Sequence, residues 1–226
     1  MICLWCYREI IPEITWSNLF QLYKPKPICL DCENELELLQ GERCRKCSRQ
    51  TNKEICSDCL WWDDNGALDT IEFNYSLFAY NTMMQNMIAK WKYRGDYILG
   101  ELFKTYMVEA FNKKFANLKK DVIAVPIPLS NARMKERGFN QANLLAEFLP
   151  VIRADILLRK DGEKQSKKNR MERILTDNPF FIQQTINKPV LLVDDIYTTG
   201  TTLRHAATLL KENGCPAVYA ITLVRG

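Results

Sequence analysis

The chain has 226 residues, 47% hydrophobic and 26% charged, with a formal net charge of +4. That length holds one full domain plus a small appendage, and the composition supports a packed core, which excludes a disordered tail or fibrous chain. No apolar run approaches the roughly 18–20 residues that cross a bilayer, and the opening MICLWC lacks the basic and long apolar regions of an export signal.

A cytoplasmic, non-membrane-spanning chain is expected, and in that reducing compartment nine cysteines argue for metal rather than disulfides. Eight of them form four CxxC pairs: Cys3/Cys6, Cys29/Cys32, Cys44/Cys47 and Cys56/Cys59. Each pair places two thiolates on one tight turn, two corners of a tetrahedron around Zn²⁺, so four pairs make two complete sites. Sequential pairing gives a double-zinc-ribbon-like unit, and cross-braced pairing is the alternative. So short a segment takes much of its folding free energy from metal. Trp5, Trp16, Trp61 and Trp62 among basic residues fit either a small metal-stapled core or contact with nucleic acid. Asp63–Gly66 marks a boundary, giving a zinc module over 1–62 and a second domain over 63–226.

Past the boundary, Ser76–Tyr80 reads as a short strand. Met84, Met87, Ile88 and Trp91 recur at helical spacing over Met83–Tyr93, a core stripe with Lys90, Lys92 and Arg94 on the other side. A helix is expected over Gly100–Phe115, and Val122–Pro128 reads as a buried strand. The segment Ser130–Gln141 then collects Arg133, Lys135 and Arg137 before a helix to about Leu149. Ile156–Arg159 is a further strand, followed by a basic run that includes Lys164, Lys167, Lys168, Arg170 and Arg173. Such a run is a solvated face, a mobile loop or a backbone-tracking patch for DNA. His205 and Cys215 read as structural.

Val190–Val193 is a buried strand that ends in Asp194 and Asp195. A loop of Thr198, Thr199, Gly200, Thr201 and Thr202 follows, then a helix from Leu203 to Leu210 and a last strand over Ala217–Val224. Strand, acid pair, Thr/Gly loop and helix in that order build a sugar-phosphate site at the carboxyl edge of a parallel sheet. The loop turns amides and hydroxyls onto a phosphate, while the carboxylates accept ribose hydroxyls or hold Mg²⁺ through water. No Lys follows the glycine, so this is not a Walker A loop.

VDDIYTTGTT resembles the phosphoribosyl pyrophosphate (PRPP) motif of type I phosphoribosyltransferases. With the four CxxC pairs, WKYRGD (Trp91–Asp96), VPIPLS (Val125–Ser130), ERGFNQA (Glu136–Ala142) and KQSKKNRMER (Lys164–Arg173), the whole chain resembles the ComF family. The resemblance implies an α/β fold: a type I phosphoribosyltransferase-like domain, its central, mainly parallel sheet flanked by helices, preceded by a small Cys-rich zinc-binding module. It implies that Asp194 and Asp195 contact the ribose hydroxyls and that Thr198–Thr202 cradle the 5′-phosphate. Arg133 and Arg137 would meet the pyrophosphate, leaving Asp194, Asp195 and Arg137 as the catalytic set, with Mg²⁺ entering alongside PRPP.

The family further implies DNA uptake in natural transformation. The chain would lie in the cytoplasm, peripheral at the inner face of the membrane, and bind single-stranded DNA beside competence proteins such as the DNA-uptake helicase. Ordinary nucleotide salvage or biosynthesis is the alternative, against which stand the zinc front end and the lack of a recognisable nucleobase hood. One departure is Thr176, where the family often carries Asn.

Overall fold

The computed structural model describes residues 1–11, 26–64, 70–93, 95–160, 178–182 and 184–226. Short helices α1 (Leu30–Asn34) and α2 (Ser57–Asp64) belong to the cysteine-rich segment. The sheet domain follows with β1 (Asn74–Ala79), α3 (Thr82–Tyr93), α4 (Lys104–Lys114), β2 (Ile123–Pro126), α5 (Asn131–Arg137) and α6 (Gln141–Glu147). It closes with β3 (Leu157–Arg159), β4 (Phe180–Ile182), β5 (Val190–Tyr197), α7 (Thr201–Glu212) and β6 (Val218–Arg225).

The central sheet is parallel, in the order β1-β6-β5-β2. A parallel sheet buries both faces, so β5 needs a continuous apolar run rather than an alternating one. Val190–Val193 supply it and are fully buried. On one face, Leu191 and Val193 join Met84, Met87 and Trp91 of α3, Met107 and Phe111 of α4, and Leu145 of α6. On the other, Val190 and Leu192 pack against Leu203, Ala206 and Leu210 of α7. With α6 on one face and α7 on the other, the connections into and out of β5 diverge, and this opens a crevice at its carboxyl end.

Three sequence expectations need adjustment. The helix expected over Gly100–Phe115 is a 3₁₀ segment, Tyr97–Phe103, that leads into α4. Ser130–Gln141 is not one loop: Ser130 caps α5 by accepting from the Arg133 amide, and Gly138, at φ +78°, ends it. The strand at Ile156–Arg159 is real but leaves the central sheet, pairing antiparallel with β4. Its short Leu-Leu-Arg run meets a partner of opposite direction that no sequence period announces.

The cysteine-rich segment packs directly on the sheet domain. Between its two halves, the Leu39 amide donates to the Leu77 carbonyl at 2.8 Å and the Ala79 amide to Glu37 at 2.9 Å, which covers the edge of β1. Ser48 Oγ donates to the Asn74 carbonyl at 2.8 Å, next to a buried hydroxyl pair, Ser76 and Thr222, 2.7 Å apart. Among the described residues no helix is long and apolar enough to cross a membrane.

Candidate functional site

β5 ends in the acid pair, and strand alternation sends the two carboxylates to opposite faces. Asp195 follows Leu191 and Val193 onto the α3 face, where it is buried and ion-paired with Lys92. Lys92 sits one turn after Ile88, so the core stripe of α3 decides where its ammonium lands. Asp194 accepts a hydrogen bond from the Asp195 amide at 2.9 Å. Burial and the adjacent Asp195 charge push its carboxyl from the ordinary 3.8 up to about 7, with Lys92 opposing them.

Guanidinium groups gather at the same carboxyl edge. Arg137, the last residue of α5, is buried, donates to Gln141 Oε1 at 3.0 Å and lies 5.7 Å from the Tyr93 ring. Its Nε is buried with no hydrogen-bond partner among the described residues. Arg159, at the end of β3, is held below its ordinary value by burial and then by the positive charge of Arg133. Arg137 acts in the same direction, while the Asp194 carboxylate opposes them. Arg133, Arg137 and Arg159 therefore share one electrostatic neighbourhood with Asp194, a setting suited to a multiply charged anion. Lys135 stays exposed on the outer side of α5.

The Thr/Gly loop forms a sharp turn into α7. Gly200 takes the left-handed conformation, φ +81°, at the helix N-cap, and the Thr199 and Thr201 hydroxyls lie 2.8 Å apart. This turn joins the acid pair at the end of β5 to the N-terminus of the twelve-residue α7, which favours negative charge. Thr198 is exposed, Thr199 and Thr202 are half-buried and Thr201 is buried.

RGFNQ has a clear mechanical role. Phe139 packs against Trp91 and Tyr97, while Asn140 caps α6 through the Ala142 amide at 3.0 Å. The Asn140 amide also donates to the Ile127 carbonyl at 2.9 Å, tying the end of α5 to the chain leaving β2. The segment orients Arg137.

Sequence reasoning missed Lys92 and Arg159 as site residues. Helical spacing puts Lys92 on the side of α3 away from its core stripe, and nothing in WKYRGD says what that side faces. Arg159 ends a strand that leads into the basic run, and no local pattern turns it toward the acid pair. The five DNA candidates Lys164, Lys167, Lys168, Arg170 and Arg173 lie outside the described residues. His205 is held low, first by burial and then by Arg159, and remains a neutral helix residue. Cys215 is buried, with its thiol directed to the Lys188 and Ala217 carbonyls.

The cysteines gather sequentially: Cys3, Cys6, Cys29 and Cys32 form one set, Cys44, Cys47, Cys56 and Cys59 the other. Within each set the sulfurs lie within 4.8 Å of one another. Both sets are built alike: a knuckle hairpin followed by the start of a short helix. Tyr7 and Ser48 each follow the second cysteine of a knuckle and each has positive φ, 62° and 61°. Their amides donate back to the Cys3 and Cys44 carbonyls, each at 3.0 Å. The Cys29 and Cys56 amides donate to the Cys3 and Cys44 sulfurs at 3.4 and 3.3 Å, as thiolate ligands require. Each set can hold a metal ion, and four thiolates suit zinc. Elemental analysis of the purified chain is expected to give two zinc ions per chain, and a value of one would remove one set from this description.

Known proteins resemble this chain over its whole length. Residues 134–226 match the phosphoribosyl transferase domain family. The chain is 38% identical to competence protein ComFC of Bacillus subtilis over 231 residues, covering 100% of this chain and 95% of that protein. It is 35% identical to competence protein ComFC of Streptococcus pneumoniae, covering 100% of both. DNA utilization protein YhgH of Escherichia coli is 25% identical, with 88% of this chain and 96% of that protein covered. Two full-length relatives above 30% identity place the chain plainly: it belongs to the ComFC family of competence proteins.

Proposed function

We propose that this protein acts in the uptake of DNA during natural transformation, where it binds single-stranded DNA and carries a working site for PRPP or a related sugar phosphate. The observation that carries the reading is the convergence, at the end of β5, of an acid pair, an amide-rich loop and a cluster of cations. In this assignment Asp194 and Asp195 accept the ribose hydroxyls, and Thr198–Thr202 hold the 5-phosphate. Arg137, with Arg133 and Arg159, meets the pyrophosphate, whose charge grows as the bond to ribose C1 breaks. Mg²⁺ enters with the substrate and supplies further neutralisation of its oxygens. Positioning and charge stabilisation are the main contributions a protein makes to such a displacement.

Titration of Mg²⁺·PRPP with thermal unfolding as the readout tests the site. Stabilisation of about 2.7 kcal/mol is expected at a hundredfold excess over Kd. Asp195→Ala should abolish the shift while zinc content stays the same. No shift for the native chain at millimolar PRPP sinks the assignment. A pyrophosphate-release assay separates uptake from salvage: release with oligonucleotides fits this proposal, whereas release with a free base alone supports salvage.

The DNA half of the proposal rests on the basic run around Lys164–Arg173 and on kinship with competence proteins. Affinity for single strands should exceed that for duplex and fall steeply with salt, because each neutralised phosphate releases counterions. Replacing Lys164, Lys167, Lys168, Arg170 and Arg173 together by glutamine should flatten that salt dependence. An unchanged slope would move the contact elsewhere.

A further inference from the structure

Two groups hold the carbonyls of the phosphate loop from behind: Trp62, in the second four-cysteine unit, and Arg225, the last residue of β6. Trp62 Nε1 donates to the Thr199 carbonyl at 3.0 Å. Arg225 Nη1 donates to the Thr198 and Tyr197 carbonyls at 3.0 and 3.2 Å, while its Nη2 reaches Cys47 Sγ at 3.7 Å. The Thr198 and Thr199 carbonyls are thus fixed by groups that belong to the cysteine-rich unit or touch it, while the Tyr197 carbonyl also accepts from the Gly226 amide at 2.9 Å, where β5 pairs with β6. No peptide bond in the described chain is cis. In a planar trans peptide the N–H points opposite to the preceding C=O. Fixing the Thr198 and Thr199 carbonyls therefore turns the amides of Thr199 and Gly200 the other way, away from that unit and free to serve as phosphate donors.

Both holding groups are tied to the cysteines, Trp62 through its helix and Arg225 through its contact with Cys47. α2 starts between Cys56 and Cys59, and Trp62 lies three residues after Cys59, on the same helix face. Its indole is buried beneath the Arg204 guanidinium, 4.9 Å from the ring centroid. Arg225, also buried, stands over the Tyr197 ring at 4.8 Å and donates to a sulfur of the set, the kind of outer contact that orients metal ligands.

We propose that Trp62 and Arg225 are positioning residues through which the second four-cysteine centre holds the phosphate loop in its ligand-ready shape, so that sugar-phosphate binding depends on that centre. This rests on the sugar-phosphate reading of the Thr198–Thr202 loop. It gives the second centre a task that the first, at Cys3–Cys32, does not share.

The test uses the full-length, zinc-loaded chain and ribose 5-phosphate as probe. Trp62→Phe keeps the ring under Arg204 and removes only the N–H donor; Arg225→Gln removes the bridge to Cys47. Trp62→Phe is expected to weaken ribose 5-phosphate about five- to tenfold by calorimetry, the loss of one buried hydrogen bond, and Arg225→Gln at least as much, both at unchanged zinc content. Hydrogen exchange at the Thr199–Thr201 amides should quicken by a similar factor, while amides of β2 and β6 keep their native rates. A general loss of stability would raise exchange throughout the sheet instead.

Chelating zinc from the native chain should weaken binding and quicken loop exchange, and should add less in the Trp62→Phe, Arg225→Gln double variant. Native affinity and native loop exchange in Trp62→Phe would overturn the proposal, whether or not Arg225→Gln folds. If the native chain does not bind ribose 5-phosphate at all, the sugar-phosphate reading fails, and the exchange arm still decides whether the cysteine unit holds the loop.

Discussion

Replacing Gly200 by alanine is expected to abolish sugar-phosphate binding, with an affinity loss of about a hundredfold or more, as one phosphate cradle is lost. Two effects coincide at this position. Its φ of +81° lies in the left-handed region, where a Cβ costs about 1 kcal/mol. The added Cβ would also fall inside van der Waals contact of the Tyr197 hydroxyl and ring. Tyr197 is itself buried under Arg225 and has no room to retreat. The turn must therefore open, and the amides and hydroxyls of Thr199–Thr202 lose their common focus. Calorimetry with ribose 5-phosphate reads the affinity and thermal unfolding reads the cost, roughly 2–4 °C per kcal/mol for a chain of this size. Native affinity in Gly200→Ala would mean that the loop is not the phosphate cradle.

Lys92→Met carries the second large effect. The methionine keeps most of the side-chain volume and removes the ammonium that pairs with Asp195. Two adjacent carboxylates at the end of a buried strand are then left without that cation, and a buried charge that loses its partner is costly. The pair responds by taking up a proton, so Asp194, already raised to about 7, should rise further because Lys92 is what opposes the shift.

The sign for stability follows from linkage. Between about 4 and 7 the folded chain holds a proton on Asp194 that the unfolded chain has released, so this group lowers stability as pH rises through that window. For binding the sign is reversed, since only the carboxylate accepts two ribose hydroxyls. Affinity for ribose 5-phosphate should increase as pH rises through about 7 in the native chain. In Lys92→Met it should fall at least tenfold at pH 7, with its pH midpoint moved upward. Asp194→Asn, carried through the same series, isolates the titration of the ligand's own phosphate. An unmoved midpoint in Lys92→Met would show that the lysine does not govern the pair.

Much of this site was legible before any coordinates. Four apolar β-formers, two acids, a threonine-rich turn and an amphipathic helix occupy consecutive positions in VLLVDDIYTTGTTLRHAATLL, and contacts between chain neighbours survive in sequence. The metal sets were legible for the same reason, since CxxC places two ligands on one turn. Their pairing was not, because sequential and cross-braced arrangements have identical spacing; the fold brings Cys3 and Cys6 to Cys29 and Cys32. Arg137 was readable as a candidate site residue, whereas the RGFNQ segment around it shows its structural part only when Asn140 is seen joining α6 to the chain after β2.

The sequence by itself determined the class of fold, the two four-cysteine sets and the loop proposed here to receive a sugar phosphate, because each is written in residues close along the chain. The tertiary structure alone decided which cations face the acids and what stands behind the loop. Lys92 is 103 residues from Asp195 by their numbers, and Trp62 is 137 from Thr199. Such contacts follow from the alternation of β5, the core stripe of α3 and the docking of α2. No local pattern records them, since helical or strand periodicity tells which face a side chain occupies but not what another element brings to it.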